Sequence, residues 1–199
     1  MKAQTSFISA WLNVIAVAVM EVLEAIRTRR SIRKYKRRAI PPHVLKEVLD
    51  AARWAPSARN SQPWRFILIE DEDLKRRVAY ATTAGRFLAD APLGIAVAVN
   101  TSVTRHPVED GAAATMNILL AAHALGLGAC WIGSYGSVYE DEVKEMLGIP
   151  RDWILLSIIA LGYPDEEAKS SRLDLKEFVY VNKFGSKEGL ERVIGLGER

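Results

Sequence analysis

Ala55-Pro56-Ser57-Ala58-Arg59-Asn60-Ser61-Gln62-Pro63-Trp64 places a run of hydrogen-bonding side chains between a helical segment and a strand, and the reading of the fold turns on it. Pro56 marks the end of the preceding helix, and Pro63 hands the chain on in extended form. A plain turn rarely demands so many polar groups. One reading is a connector in which Ser57 and Asn60 satisfy local backbone groups, and the other is a loop that faces a ligand. The flanking sequence bears on the choice.

Upstream, residues 21–29 alternate apolar and charged types at helical spacing, with Val22, Leu23, Ala25 and Ile26 on one face, and they run into Arg29-Arg30-Ser31-Ile32-Arg33. Three guanidinium groups and a hydroxyl within five residues suit phosphate and carbonyl oxygens. Taken alone, a basic run is more often a solvated face. Pro41 and Pro42 then open a second helix to about residue 54, with Val44, Leu45, Val48, Leu49 and Ala52 on its buried side.

Downstream, residues 64–70 read as a strand, 73–81 as a short helix opened by acidic residues, and 95–100 as a second strand. Residues 108–125 are apolar on nearly every face, with Glu109 and Asp110 in the first turn and Gly126 past the end, which predicts a buried helix. Further strands are expected at 128–132 and 154–161, separated by a helix over 140–147 that stops at Gly148 and Pro150. After Tyr163-Pro164 the chain turns polar and offers one short apolar segment, 178–181, so this terminal stretch must lean on something else. The order is mixed α and β, without internal repeats.

The 199 residues are 49% apolar and 26% charged, which suits one folded unit with a sizeable core. Net charge is only +3, yet eight of the twelve residues from 27 to 38 are Lys or Arg, so ligands there should be anionic. The single Cys130 excludes an intrachain disulfide framework and is too little for a zinc ribbon or an iron-sulfur cluster; no metal and a cytoplasmic location are expected. Residues 7–20 are nearly all apolar, but 14 residues are too few to span a bilayer comfortably, and no membrane span is expected. Ala16-Val17-Ala18 resembles a signal cleavage site, and an extra packed helix or an extension ahead of Met20 as the start remain open. Residues 1–20 are therefore taken as an extension and 21–199 as the domain.

With these residues in place, the chain resembles the FMN-dependent nitroreductase family. The resemblance rests on Arg29-x-Ser31-x-Arg33, on Pro56-Ser57-x-x-Asn60-x-Gln62-Pro63-Trp64, on Glu109-Asp110 and the run from Leu119 to Gly128, on Cys130-Trp131-Ile132-Gly133, and on Leu161-Gly162-Tyr163-Pro164. It covers roughly residues 21 to 183. It implies an α+β, three-layer fold with a central, mainly antiparallel sheet flanked by helices, and a homodimer that exchanges C-terminal arms. It further implies that Arg29, Arg30, Ser31 and Arg33 hold the FMN phosphate, ribityl chain and pyrimidine edge. Pro56, Ser57, Ala58 and Asn60 would come from the neighbouring subunit, Trp131, Ile132, Gly133 and Ser134 would lie along the flavin ring, and Arg172, with Lys169 or Ser170 as companion, would reach the phosphate.

The implied activity is NAD(P)H oxidation with ping-pong hydride transfer through FMN to a nitroaromatic, quinone or flavin. The residues agree with it. A phosphate monoester is close to doubly charged and is held best by several charge-assisted hydrogen bonds, and a fixed cation at Arg33 would stabilise the negative charge of reduced flavin. That is the catalytic part assigned to Arg33; no protein nucleophile is expected. In the loop 82–87, Ala84 and Phe87 cannot make polar flavin contacts, although Phe87 offers a stacking surface. His123, Cys130 and the pair Glu109-Asp110 read as a packed histidine, a small strand residue and a helix start. The rivals are a flavin-binding sensor, storage or flavin-cleaving protein without reductase activity, and a nucleic-acid binder using residues 27–38, which would leave the polar loop unexplained.

Overall fold

The computed structural model describes residues 20–195, so the expectations for the apolar stretch ahead of Met20 lie outside the described residues. The chain divides into two compact units, Met1–Ala168 and Lys169–Arg199.

The first unit begins with α1 (Val22–Thr28) and α2 (Pro42–Arg53), the latter opened by Pro42 at its first turn, where a missing N–H costs nothing. Strand β1 (Trp64–Ile69) follows the polar loop, and α3 (Glu72–Ala81) is capped by Asp71, whose carboxylate accepts the Leu74 N–H at 2.7 Å. Then come a short 3-10 turn (Arg86–Asp90), β2 (Leu93–Asn100) and the long helix α4 (Pro107–Ala124). Strand β3 (Gly128–Gly133), helix α5 (Glu140–Leu147) and β4 (Trp153–Gly162) complete the unit, and α5 stops at Gly148 with φ 66°, the left-handed cap expected there.

All four strands pair antiparallel in the order β1-β2-β4-β3, so β3 is an edge strand. Alternation along β2 splits the core in two: Ile95, Val97 and Val99 pack with Val48, Ala52, Ile118 and Ala122, while Ala96 and Ala98 pack with Val78, Val143 and Ile158. Helices thus cover both faces, which gives the expected three layers. Of the apolar residues grouped on α1, only Ala25 is buried in the chain; Val22, Leu23 and Ile26 are exposed.

One irregularity matters for the site. The register between β2 and β4 shifts at Val97/Ala98, where Val97 faces Ser157 but Ala98 faces Leu155, leaving Leu156 as the extra residue of a bulge. Its carbonyl accepts the N–H groups of Ser134 and Tyr135 at 3.2 and 3.3 Å, which turns the chain as β3 ends. Ser157, re-aimed by the same bulge, meets Thr115 of α4 at 2.9 Å, so both buried hydroxyls are satisfied.

The second unit is thin. It contains a 3-10 turn (Leu175–Glu177), a tilted pair of rings, Tyr180 and Phe184, 4.8 Å apart, and α6 (Leu190–Ile194). Among the described residues no helix is long and apolar enough to cross a membrane, and no group of His, Cys, Asp and Glu is placed to hold a metal ion.

Candidate functional site

The basic segment after α1 is laid against the free edge of β3. Ser31 forms a parallel bridge with Ala129, and the Ile32 N–H donates to the Ala129 carbonyl at 3.1 Å. Gly128 permits this approach, because a Cβ there would lie 2.8 Å from Ile32 Cβ and Cγ2. The segment is fixed on its other side as well. Tyr35 bridges Pro164, Lys36 N–H reaches the Tyr163 carbonyl at 2.9 Å, and the buried Tyr35 hydroxyl donates to the Ile32 and Ala160 carbonyls, while burial raises its pKa far above the usual phenol value. Glu166 closes the clamp by accepting the N–H groups of both Arg33 and Lys34, and these bonds hold its carboxyl below the usual range.

Gly128→Ala is accordingly expected to destabilise the protein by about 1–3 kcal/mol through overpacking and to shift the arginine segment off β3. Urea unfolding measures the first effect, and a wild-type midpoint would show that Ile32 yields at no cost.

This placement gathers cationic groups about the middle of β3. Cys130 is buried, which pushes its thiol pKa up, and Arg33, Ser31 and Arg29 act in the opposite direction from close by. The thiol is an inert strand residue. The Arg33 guanidinium sits 5.6 Å from the centre of the Phe87 ring, so the loop from which no flavin ligand was expected supplies the surface on which that cation rests. Arg30 donates through one Nη to the carbonyls of Arg27 and Arg29, both at 2.8 Å, yet its buried Nε finds no partner among the described residues. At the strand end, a Cβ on Gly133 would meet nothing within 4 Å, and Trp131 beside it is half-buried. The cationic segment thus walls the edge of β3, and space is open over Gly133 at the end of the same strand.

Two residues expected along that wall are turned inward. Ile132 packs in the core, and the fully buried Ser134 points its hydroxyl at the Ile132 carbonyl, 3.4 Å away, so at these positions the backbone is what remains to face a ligand.

The polar loop lies elsewhere. Ser57 Oγ accepts the Gln62 N–H at 3.0 Å, so the local role is real, but the Asn60 side chain makes no hydrogen bond among the described residues and the buried Ser61 Oγ has no partner there. Arg59, Asn60 and Gln62 all have positive φ, 55°, 55° and 47°. Each such residue stores about 1 kcal/mol of strain. The loop is held by Asp110, which is buried and accepts the Ala58 N–H at 2.9 Å and the Thr104 hydroxyl at 2.7 Å. The sequence reading took Asp110 for a helix-start residue; an acidic pair two residues after Pro107 carries no mark that distinguishes a cap from a tether.

Helix α4 sets the distance between the two segments. Asp110, near its start, holds the loop, whereas His123, near its end, meets Thr28 just ahead of the arginines at 2.8 Å. Thirteen residues of helix separate these anchors by about 20 Å. A single chain thus brings Arg29, Arg30, Ser31 and Arg33 to Trp131 and Gly133, but not to Pro56, Ser57, Ala58 or Asn60. Lys169 and Arg172 belong to the second unit, where Arg172 donates to Ser170 Oγ at 3.0 Å.

The hydrogen bonds at His123 place a proton on Nε2. Thr28 spends its hydroxyl proton on the Glu24 carbonyl at 2.7 Å, so it accepts from His123 Nε2–H. Burial first, then Arg29 and Arg30, lower the His123 pKa. A depressed folded pKa contributes stability that is complete above the unfolded value near 6.5 and is lost as pH falls through the folded value. The urea midpoint should therefore drop between about pH 7 and pH 5, and His123→Gln should flatten that drop. An unchanged slope in the variant would remove His123 from the account.

A four-stranded antiparallel sheet with helices on both faces, carrying a cationic segment on its edge strand, defines an α+β protein with a concentrated positive charge at one sheet edge. The Nitroreductase family profile matches residues 26–85 and 79–163, and the chain belongs to that family. A Methanothermobacter thermautotrophicus relative with the provisional name NADH dehydrogenase/NAD(P)H nitroreductase is 40% identical over 174 residues, 84% of this chain and 90% of its own. The FMN-dependent nitroreductase of Clostridium difficile R20291 superposes with a TM-score of 0.76 at 35% identity, covering 81% of this chain and 99% of that one. The NADPH:FMN oxidoreductase of Vibrio harveyi, solved with NAD+, gives a TM-score of 0.74 at 25% identity over 82% of this chain and 77% of that one.

Proposed function

We propose that this chain is an FMN-dependent NAD(P)H oxidoreductase of the nitroreductase type, working by a ping-pong scheme in a homodimer. The observation that carries the reading is the arginine segment clamped to β3, with a buried Arg30 Nε lacking a partner among the described residues and open space over Gly133. These residues fit a flavin mononucleotide: guanidinium groups for its phosphate and polar edge, and a half-buried tryptophan beside a bare glycine for its flat ring. When bound, FMN supplies two-electron chemistry, taking a hydride from reduced nicotinamide and passing electrons to a second substrate.

The protein's own part is binding and electrostatics. Arg29, Arg172 and Lys169 are assigned to the phosphate; Arg30 and Ser31 bond the ribityl chain; Arg33, held by Glu166 through its backbone, keeps a cation at the pyrimidine edge. Trp131, Ile132, Gly133 and Ser134 border the ring. Pro56, Ser57, Ala58 and Asn60 reach the site of the other subunit, which the span of about 20 Å along α4 favours over service within one chain. Exposed Val22, Leu23, Ile26 and Trp54, and exposed Leu173, Phe178 and Phe184 in the second unit, support a partner that covers both regions and an exchanged arm. An open apolar face discriminates weakly among flat acceptors, so nitroaromatics, quinones and flavins all suit it. The chain works in the cytoplasm, with residues 1–20 as an extension to the domain 21–199.

The test is a visible spectrum of protein loaded with FMN and desalted, followed anaerobically with NADPH or NADH. A retained flavin band that bleaches and returns with a quinone is the expected result. Retained flavin that does not bleach would favour sensing, storage or cleavage, and no retained flavin would sink the reading.

A further inference from the structure

Beside the polar loop lies a second cavity, of about 560 Å³, lined by Ala58 and Arg59 on one side and by the stretch from Thr101 to His106 on the other. No carboxylate lines it. Arg59 and Arg105 are exposed at its rim, and neither guanidinium has a hydrogen bond or an ion pair among the described residues. His106, also at the rim, leans on Glu109 at 3.4 Å.

The three hydroxyls of the lining have spent their protons. Thr101 donates to the Asp152 carbonyl at 2.7 Å, Ser102 to Asn100 Oδ1 at 2.7 Å and Thr104 to Asp110 at 2.7 Å. What they present to a ligand is lone pairs, so the cavity offers cations and acceptors together. That pairing suits a phosphorylated sugar, whose phosphate takes the guanidinium groups and whose hydroxyls donate to the threonine and serine oxygens. A bare inorganic anion would use only half of it, a cationic ligand would meet the two arginines, and an apolar ligand would use neither half.

The cavity is contiguous with Ala58, which the proposed function places on the flavin. The geometry points to a seat for the phosphorylated ribose of the nicotinamide substrate, built by Arg59 and Arg105 over the hydroxyls of Thr101 and Ser102. The assignment rests on the oxidoreductase reading for its ligand but not for its chemistry. Arg59 reaches the cavity from the strained turn of the loop, with φ 55°, so the same backbone that presents Asn60 also aims this guanidinium.

Two measurements test it. Calorimetric titration with adenosine 2′,5′-bisphosphate needs no turnover and no flavin chemistry. Wild-type protein should bind it, and R105E or R59N, the latter tolerant of positive φ, should weaken binding about tenfold or more. Absence of wild-type binding, or equal binding by both variants, overturns the seat whatever the flavin does. In turnover with FMN-loaded protein and a quinone, R105A should raise KM about tenfold with kcat little changed. A rise for NADPH alone assigns the seat to the 2′-phosphate, and a rise for NADPH and NADH together assigns it to the pyrophosphate end; either supports the proposal. An increase confined to an anionic acceptor such as a sulfonated quinone, or none at all in protein that holds flavin and oxidises nicotinamide, overturns it.

Discussion

Asp110→Ala should destabilise the protein by about 3 kcal/mol and release the polar loop, because it strands two donors at a buried position. The carboxylate is 5% exposed and accepts both the Ala58 N–H and the Thr104 hydroxyl. Loss of an ionised acceptor at such a site costs about 1–3 kcal/mol per donor left unpaired. The loop adds to this, since three residues at positive φ within four positions stay in place only while something over-determines them. Asp110→Asn keeps the shape and one acceptor, so it should lose roughly half as much. Urea unfolding gives the energies, limited proteolysis at the loop reports its release, and flavin retention after desalting reports the functional consequence. A variant within about 0.5 kcal/mol of wild type with a protected loop would show that the tether is dispensable.

Much of the fold was legible because periodicity and punctuation agreed. Pro41 and Pro42, Gly148, and the apolar run of β1 marked element ends to within one or two residues, and the arginine and loop motifs supplied the residues proposed for the site. What was not legible depended on pairing between distant segments. Nothing in Leu156 announces a bulge, since the extra residue exists only relative to β2. Glu166 looks like any acidic residue in a polar stretch, and its clamp on Arg33 and Lys34 arises because β4 returns beside the basic segment. The apolar face of α1 was readable as a face, but among the described residues only Ala25 of it is buried, and what covers Val22, Leu23 and Ile26 is not written in the pattern itself. Nor does the composition of the loop announce that Arg59, Asn60 and Gln62 adopt positive φ, which only the folded backbone shows.

Arg33 and Arg29 should separate catalysis from retention, and the separation is the sharper test of the site. Arg33 is fixed by its backbone on Glu166 and by its guanidinium against Phe87, an arrangement that holds a positive charge in place with no ion pair within 4 Å among the described residues. A pre-positioned cation matters most where negative charge develops, and its loss in a dry site costs about 2–4 kcal/mol. Arg33→Ala should therefore slow flavin reduction by about thirty- to several-hundred-fold, with a smaller loss if water enters, while most FMN survives desalting. In the proposed site Arg29 is assigned to a phosphate whose charge is the same before and after reduction, so Arg29→Ala should weaken ground-state and transition-state binding alike and chiefly shed FMN. Stopped-flow reduction by NADPH, measured on protein saturated with FMN, isolates the first effect, and flavin content after desalting isolates the second. Were the two variants to lose rate and retention in equal proportion, the charge at Arg33 would be one more anchor, and the stabilisation of reduced flavin would have to come from the backbone of β3 instead.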